Sequence, residues 1–124
     1  MANDDQYKQI FQLWKNERRT TDLLEVKGGM YSTIRQHISN LEKELEETDT
    51  KDKISIKIIT EKTGRLSKIL RDLTKLRTHK IIHAILEGNL NTSGLAAEEL
   101  DLVNSLERIF EDHNKRSIYG EISI

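Results

Sequence analysis

The sequence predicts an all-α fold, an elongated bundle of four main helices around one long central helix. Apolar residues recur at steps of three and four through most of the chain, which is typical of amphipathic helices. Between residues 54 and 86 this pattern continues with no proline and with a single glycine, Gly64. Hydrophobic residues make up 35% of the chain and charged residues 33%, which favours a solvated helical protein over a thick globular one.

The first two helices are predicted from apolar spacing and from a glycine break. Tyr7, Ile10 and Trp14 follow the helical repeat, and we expect this helix to end at about Arg19. The Gly28-Gly29 pair then interrupts the pattern, because glycine readily adopts the conformations that turns require. The second helix begins near Met30 and carries an apolar stripe of Tyr31, Ile34, Ile38, Leu41 and Leu45.

The third helix is the long central one, and a short polar turn at residues 48–52 makes it an antiparallel neighbour of the second helix. Residues 54–60 are rich in β-branched side chains, so a strand is the alternative there. We favour a helix, since the next forty residues offer no partner strand. A helix of this length spans roughly 50 Å, so shorter helices must pack around it and its far end should contact another molecule. Gly64 costs about 1 kcal/mol in a helix relative to alanine, which predicts a bend or a close backbone neighbour.

The fourth helix follows a break at Gly88 to Asn91. Thr92 or Ser93 is expected to cap it, and the helix should include Leu95 and end around Lys115. We expect the apolar residues of the four helices to form the core and the contacts with other subunits. The candidates are Phe11, Trp14, Ile34, Ile38, Leu41, Leu66, Leu70, Leu73, Leu76, Ile81, Leu100, Leu106 and Phe110.

Charge is segregated along the chain, although the net charge is only −1. Residues 42–52 are mainly acidic and residues 62–80 mainly basic. The basic-face candidates are Arg65, Lys68, Arg71, Lys75, Arg77 and Lys80. They could contact phosphates or an acidic partner. The alternative, which the sequence favours, is that they offset the acidic second helix, since no aromatic residue is interleaved among them to stack on bases.

No motif indicates catalysis, a metal or a cofactor. The absence of cysteine excludes disulfides and thiolate chemistry. His79, His83 and Glu87 share one helix face, but surface imidazoles are the simpler interpretation. Lys62-Thr63-Gly64-Arg65 lacks the glycine-rich turn of a phosphate loop. Neither a signal peptide nor a run of about 18 apolar residues is present, so we expect a soluble intracellular protein without membrane contact.

Five short motifs and a second helix rich in leucine and glutamate resemble, in order and spacing, the helical domain of a GINS subunit of the four-part DNA-replication complex. The motifs are Ile10 to Arg18, Asp22-Leu23-Leu24, Met30-Tyr31, Leu73 to Ile81, and Leu95 to Leu100. The similarity covers about residues 7–116 and is to the class with its helical domain first, the Sld-five type with its archaeal counterparts. The proline expected near Ala96 or Ala97 is missing, which weakens the similarity there.

The resemblance implies a helical domain at residues 1–116, with residues 117–124 as a tail or linker towards a small β domain that has no counterpart here. It also implies a non-enzymatic scaffold that assembles with other GINS subunits or with itself. Its partners would be the MCM helicase and a RecJ/Cdc-forty-five-like protein, in the cytoplasm or nucleoid of an archaeon or in a eukaryotic nucleus. The alternatives are a small helical nucleic-acid-binding protein that uses the basic face of residues 62–80, or a scaffold unrelated to replication.

Overall fold

The computed structural model describes residues 2–121, with side chains from residue 5 onward, and that part of the chain is all α. The helices are α1 (Ala2–Arg19), α2 (Met30–Glu47), α3 (Lys53–Glu87) and α4 (Ala97–Ser117), with a 3-10 turn at Thr92–Gly94 before α4. The predicted all-α bundle is confirmed. Residues 54–60, for which a strand was the alternative, belong to α3, and residues 2–121 contain no strand.

Both ends of α3 are closed by local chemistry. The Asp52 carboxylate accepts a hydrogen bond of 3.1 Å from the backbone N–H of Ser55, which satisfies one of the free donors of the first turn. Gly88 adopts the left-handed conformation with φ of 73°, and its N–H donates to the carbonyl of Ile85. Between these caps the helix runs for 35 residues, or roughly 52 Å.

The other helices pack against different parts of α3 along its length. Trp14 contacts Asp72 and Glu17 contacts Arg77, so α1 runs parallel to α3. The main core lies between α1, α2 and the middle of α3. Its buried residues are Ile10, Met30, Tyr31, Ile34, Leu41, Ile59, Leu66, Ile69, Leu73 and Ala96. A smaller cluster of Ile81, Leu95 and Val103 joins α4 to the end of α3.

Most of the predicted core residues lie inside the bundle. Ile34, Leu41, Leu66, Leu73 and Ile81 are buried. Phe11, Trp14, Ile38 and Leu70 are half-buried and pack against the core, and Leu76, Leu106 and Phe110 are half-buried as well. Leu100 is wrong as a core residue, since 39% of it is exposed. The inner face of α4 is taken by Glu99 and Val103, which turns Leu100 towards solvent.

Two local expectations are corrected by the packing. No atom of a neighbouring segment would lie within 4 Å of a Cβ at Gly64, so no backbone approaches it. The close approach is at Gly94, where a Cβ would lie 2.6 Å from Cγ and 3.0 Å from Cα of Glu25. The fourth helix also begins later than expected, because Leu95 and Ala96 are buried in extended conformation before it.

The C-terminal residues continue α4 rather than forming a strand as far as they are described. α4 extends to Ser117, two residues beyond the expected end. Gly120 adopts φ of 68°, and the N–H of Glu121 donates to the carbonyl of Lys115, which closes the helix. Residues 122–124, the rest of the β-prone tail, lie outside the described part.

Candidate functional site

A buried ionic cluster joins all four helices near one end of the main core. It consists of Glu17 on α1, Tyr31 on α2, Arg77 and Lys80 on α3, and Glu99 on α4. Arg77 has no exposed surface, and the exposed fractions of Glu17 and Glu99 are 1% and 4%. Charged side chains are rarely buried unless opposite charges and hydrogen bonds offset their loss of water.

Arg77 is the centre of this cluster. Its Nε and Nη2 donate to the two carboxylate oxygens of Glu99 at 2.7 and 2.9 Å, which is the bidentate geometry that suits a planar guanidinium. Its Nη1 donates at 2.7 Å to both Glu17 and the backbone carbonyl of Leu24. One side chain of α3 therefore holds α1, α4 and the loop between α1 and α2.

Lys80 completes the contacts of Glu17. Its Nζ donates to the Glu17 carboxylate at 2.6 Å, to the backbone carbonyl of Glu17 at 2.6 Å and to that of Asp22 at 2.9 Å. These two carbonyls lie at the end of α1 and just after it, where helix carbonyls lack partners within the helix. Lys80 thus closes the C-terminus of α1 while it neutralises a buried carboxylate.

Glu99 connects the start of α4 to α2. Its carboxylate accepts from the Tyr31 hydroxyl at 2.6 Å and from the backbone N–H of Ala96, the residue that caps α4, at 3.0 Å. Burial alone raises the pKa of Glu99, but hydrogen bonds from Arg77, Tyr31 and Ala96 outweigh it and lower the pKa below its usual value. Burial and the adjacent Glu99 carboxylate raise the pKa of Tyr31.

The cluster is balanced and fully bonded. Two carboxylates face two cations, and within the described residues every buried side-chain nitrogen and oxygen has a hydrogen-bond partner. The cluster fixes the relative positions of four chain segments.

Arg77 and Lys80 are therefore wrong as members of an exposed basic face. The sequence carried a signal that was missed. Arg77 lies four residues after Leu73 and four before Ile81, and Glu17 lies seven after Ile10. A charged residue on an apolar stripe at helical spacing faces the core, where it needs opposite charges from other segments. Tyr31 was predicted only as an apolar residue, and Glu99 had no assigned role within the Leu95 to Leu100 motif.

The other basic-face candidates remain at the surface. Arg65, Lys68, Arg71 and Lys75 are exposed. Arg65 lies beside α1, where its Nη1 is 3.5 Å from the Tyr7 hydroxyl and its Cζ is 6.0 Å from the centre of the Phe11 ring. Tertiary packing therefore supplies the aromatic neighbours that the sequence of α3 lacks.

A row of aromatic rings and cations follows the contact line between α1 and α3, here termed the α1–α3 seam. It comprises Tyr7, Phe11, Trp14, Lys15 and Arg18 of α1 with Lys62 and Arg65 of α3. The Arg18 guanidinium carbon lies 4.8 Å from the centre of the Trp14 ring, whose Nε1 donates to Asp72 at 2.6 Å. Phe11 and Trp14 meet edge to face at 5.5 Å.

A groove, here termed the apolar groove, lies between the C-terminal ends of α3 and α4, away from the α1–α3 seam. Its volume is about 550 Å³, and it is lined by five apolar residues, Ile85, Leu86, Phe110, Ile118 and Tyr119, and by four polar ones, Glu107, Glu111, Asn114 and Lys115. Leu86, Ile118 and Tyr119 are 67%, 66% and 73% exposed, whereas most large apolar side chains of a folded chain are covered. After Val103 no residue up to 121 is buried, so the second half of α4 has little cover.

Comparison with models of protein families, with curated proteins and with solved structures gives no significant match. Among the described residues, none of the helices has both the length and the apolar composition that crossing a membrane requires. The same residues contain no group of three or more histidine, aspartate or glutamate side chains arranged to hold a metal ion. His79 and His83 are exposed beside an open groove.

Proposed function

We propose that this chain is a non-enzymatic assembly subunit of a GINS-like complex that supports the replicative helicase. The observation that carries the proposal is the buried ionic cluster. The five short motifs with GINS-like spacing are spread over residues 10–100, and each contributes a contact to this cluster. Glu17 comes from the first motif, the carbonyls of Asp22 and Leu24 from the second, and Tyr31 from the third. Arg77 and Lys80 come from the fourth, and Ala96 and Glu99 from the fifth.

That convergence supports the proposal, because the segments that carry the resemblance meet in one buried cluster. Any helical bundle that is held by these buried ion pairs needs the charged residues at similar distances along its chain. The cluster also accounts for the missing proline near Ala96. The Glu99 carboxylate binds the Ala96 N–H, so the helix start is capped without the fixed φ that proline would supply.

The apolar groove supports assembly as the role of this domain. Monomeric proteins seldom leave adjacent large apolar side chains such as Leu86, Ile118 and Tyr119 exposed. Other GINS subunits or a second copy of the chain would cover this surface. The MCM helicase and a RecJ/Cdc-forty-five-like protein would then be partners of the assembled complex.

Light scattering after size-exclusion chromatography tests the assembly. We expect a multimer, formed by the chain alone or with a second GINS-type subunit. Leu86→Glu with Ile118→Glu should dissociate it, because two buried charges would then lack partners. Ile54→Glu is the matched control, since Ile54 is 75% exposed at the other end of α3. A monomer under all conditions would contradict the proposal.

A pull-down from the native source tests the identity of the partners. The proposal expects MCM or a RecJ-like protein in the bound fraction, and their loss with the Leu86→Glu and Ile118→Glu variant. Recovery of neither protein with the unaltered chain would favour a scaffold unrelated to replication.

A further inference from the structure

Cations that lie against aromatic rings occur together on one side of the bundle. Within residues 5–121, all four contacts between a cation and an aromatic ring lie on the α1–α3 seam. The ring faces attract the cations and so hold them near the surface in defined positions. Arg18 and Arg65 are exposed despite these contacts, so their outer surfaces are accessible to a ligand.

The row of charge continues along the outer side of α3. Lys68, Arg71 and Lys75 follow Arg65 at steps of three, three and four residues, and all are exposed. The helix rises about 15 Å from Arg65 to Lys75. Asp72 is the one acidic residue of this stretch and accepts the hydrogen bond of Trp14, and Glu61 lies one turn before it. The stretch therefore keeps a positive surface although the whole chain is slightly acidic.

We propose that the α1–α3 seam and the adjoining cations of α3 bind single-stranded nucleic acid without sequence preference. The lysines and arginines of α3 would contact successive phosphates. The planar guanidinium group of Arg18, which lies 4.8 Å from the centre of the Trp14 ring, and that of Arg65, which lies near Phe11, offer surfaces on which unpaired bases stack. An acidic polypeptide would use the positive charge but not these stacking surfaces, which is why a nucleic acid is the better fit.

The basic residues of α3 alone do not make this site. The rings and cations of α1, which lie beside Arg65, are also part of the proposed site. Arg77 and Lys80 are not part of it, because both bind carboxylates in the buried ionic cluster. The inference is independent of the proposed assembly, which uses the apolar groove at the other end of α3.

Trp14 supplies an intrinsic reporter of binding. It is the one tryptophan of the chain and lies in the seam. Titration with a fluorescein-labelled oligo(dT) at low salt should raise the anisotropy of the label and quench the fluorescence of Trp14. The logarithm of the association constant should fall with the logarithm of salt concentration by about 0.7 for each phosphate neutralised.

A pair of matched double variants locates the site. Lys68→Gln with Arg71→Gln should weaken binding severalfold and reduce the salt slope by about 1.4, because two phosphate contacts are lost. Lys43→Gln with Arg108→Gln removes the same charge from exposed positions on α2 and α4, away from the seam and the groove, and should leave the slope unchanged. All four residues are exposed, so circular dichroism should show the same helix content in both variants.

Four results would overturn the inference: no anisotropy change at low salt, no quenching of Trp14, an equal loss of affinity in the two double variants, or equal competition by polyglutamate at matched charge. The last result would assign the surface to acidic polypeptides. None of the four bears on the multimer test of the assembly proposal.

Discussion

At the scale of single residues, the buried charges are what distinguish this helical bundle from one held by apolar packing alone. Arg77 makes four hydrogen bonds to three separate segments, and no part of it reaches solvent. A buried ion pair need not stabilise a fold more than apolar residues would. Removing one member is costly, however, because the other charge stays buried without a partner.

We therefore expect Arg77→Met to lower the free energy of unfolding by about 3–5 kcal/mol, measured by urea denaturation. Arg35→Ala is the matched control. Arg35 forms an exposed salt bridge of 3.0 Å with Glu98, and its loss should cost less than about 1 kcal/mol. Equal effects of the two substitutions would mean that the buried ionic cluster has no special role in stability.

His37 makes stability depend on pH. It is buried beside Gln6, and burial, together with the charge of Lys62, lowers its pKa below the ordinary 6.5. The unfolded chain then binds a proton more readily than the folded one. Stability should be complete above about pH 6.5 and should fall as the pH drops through that value towards the lowered pKa.

Urea denaturation at about pH 7.5 and about pH 5.5 measures this dependence. His37→Gln should reduce the loss of stability between the two pH values, whereas His79→Gln, at an exposed position, should not. The same loss in the His37 variant as in the unaltered chain would assign the dependence to other groups.

At the scale of elements, the two glycines Gly64 and Gly94 have opposite roles. Gly64 lies in the interior of α3 with open space around it, so it only weakens the helix. Gly94 lies against Glu25, and a hydrogen bond of 2.9 Å joins its carbonyl to the N–H of Val26. This contact aligns the loop after α1 with the turn before α4.

Gly64→Ala should stabilise the protein by about 0.5–1 kcal/mol, because alanine loses less conformational freedom in a helix. Gly94→Ala should destabilise it by about 1–3 kcal/mol, because a methyl group would overlap Glu25 and displace the loop. Thermal denaturation of both variants measures these two opposite changes in stability. Destabilisation at Gly64 would indicate that its exposed face is covered, as it would be in a multimer.

At the scale of the whole molecule, stability is unevenly distributed. The middle of α3 carries fully buried residues such as Leu66 and Leu73, whereas no residue of α4 after Val103 is buried. Regions with few buried contacts open with a low free energy and exchange their amide hydrogens quickly.

Hydrogen exchange followed by mass spectrometry should therefore show fast exchange in residues 104–117 and slow exchange in residues 66–77. If the apolar groove is an assembly surface, the multimer should protect the second half of α4, and the Leu86→Glu and Ile118→Glu variant should not. Slow exchange of this segment in a monomer would contradict the sparse packing of α4 after Val103.

The sequence by itself determined the helices and their ends to within a few residues. Helical spacing and the Gly88 terminus depend on neighbours three or four residues away, so they can be recognised along the chain. The apolar stripe of α3 likewise predicted Leu66, Leu73 and Ile81 in the core.

Only the tertiary structure decided which charged residues are buried and which surfaces are exposed. Glu17, Arg77 and Glu99 are separated by 60 and 22 residues, and their partnership exists only after the helices pack. The same packing places Phe11 beside Arg65, which gives the basic face aromatic neighbours that α3 does not encode. A charge has a different role in solvent and in a core, and burial depends on the whole fold rather than on the local sequence.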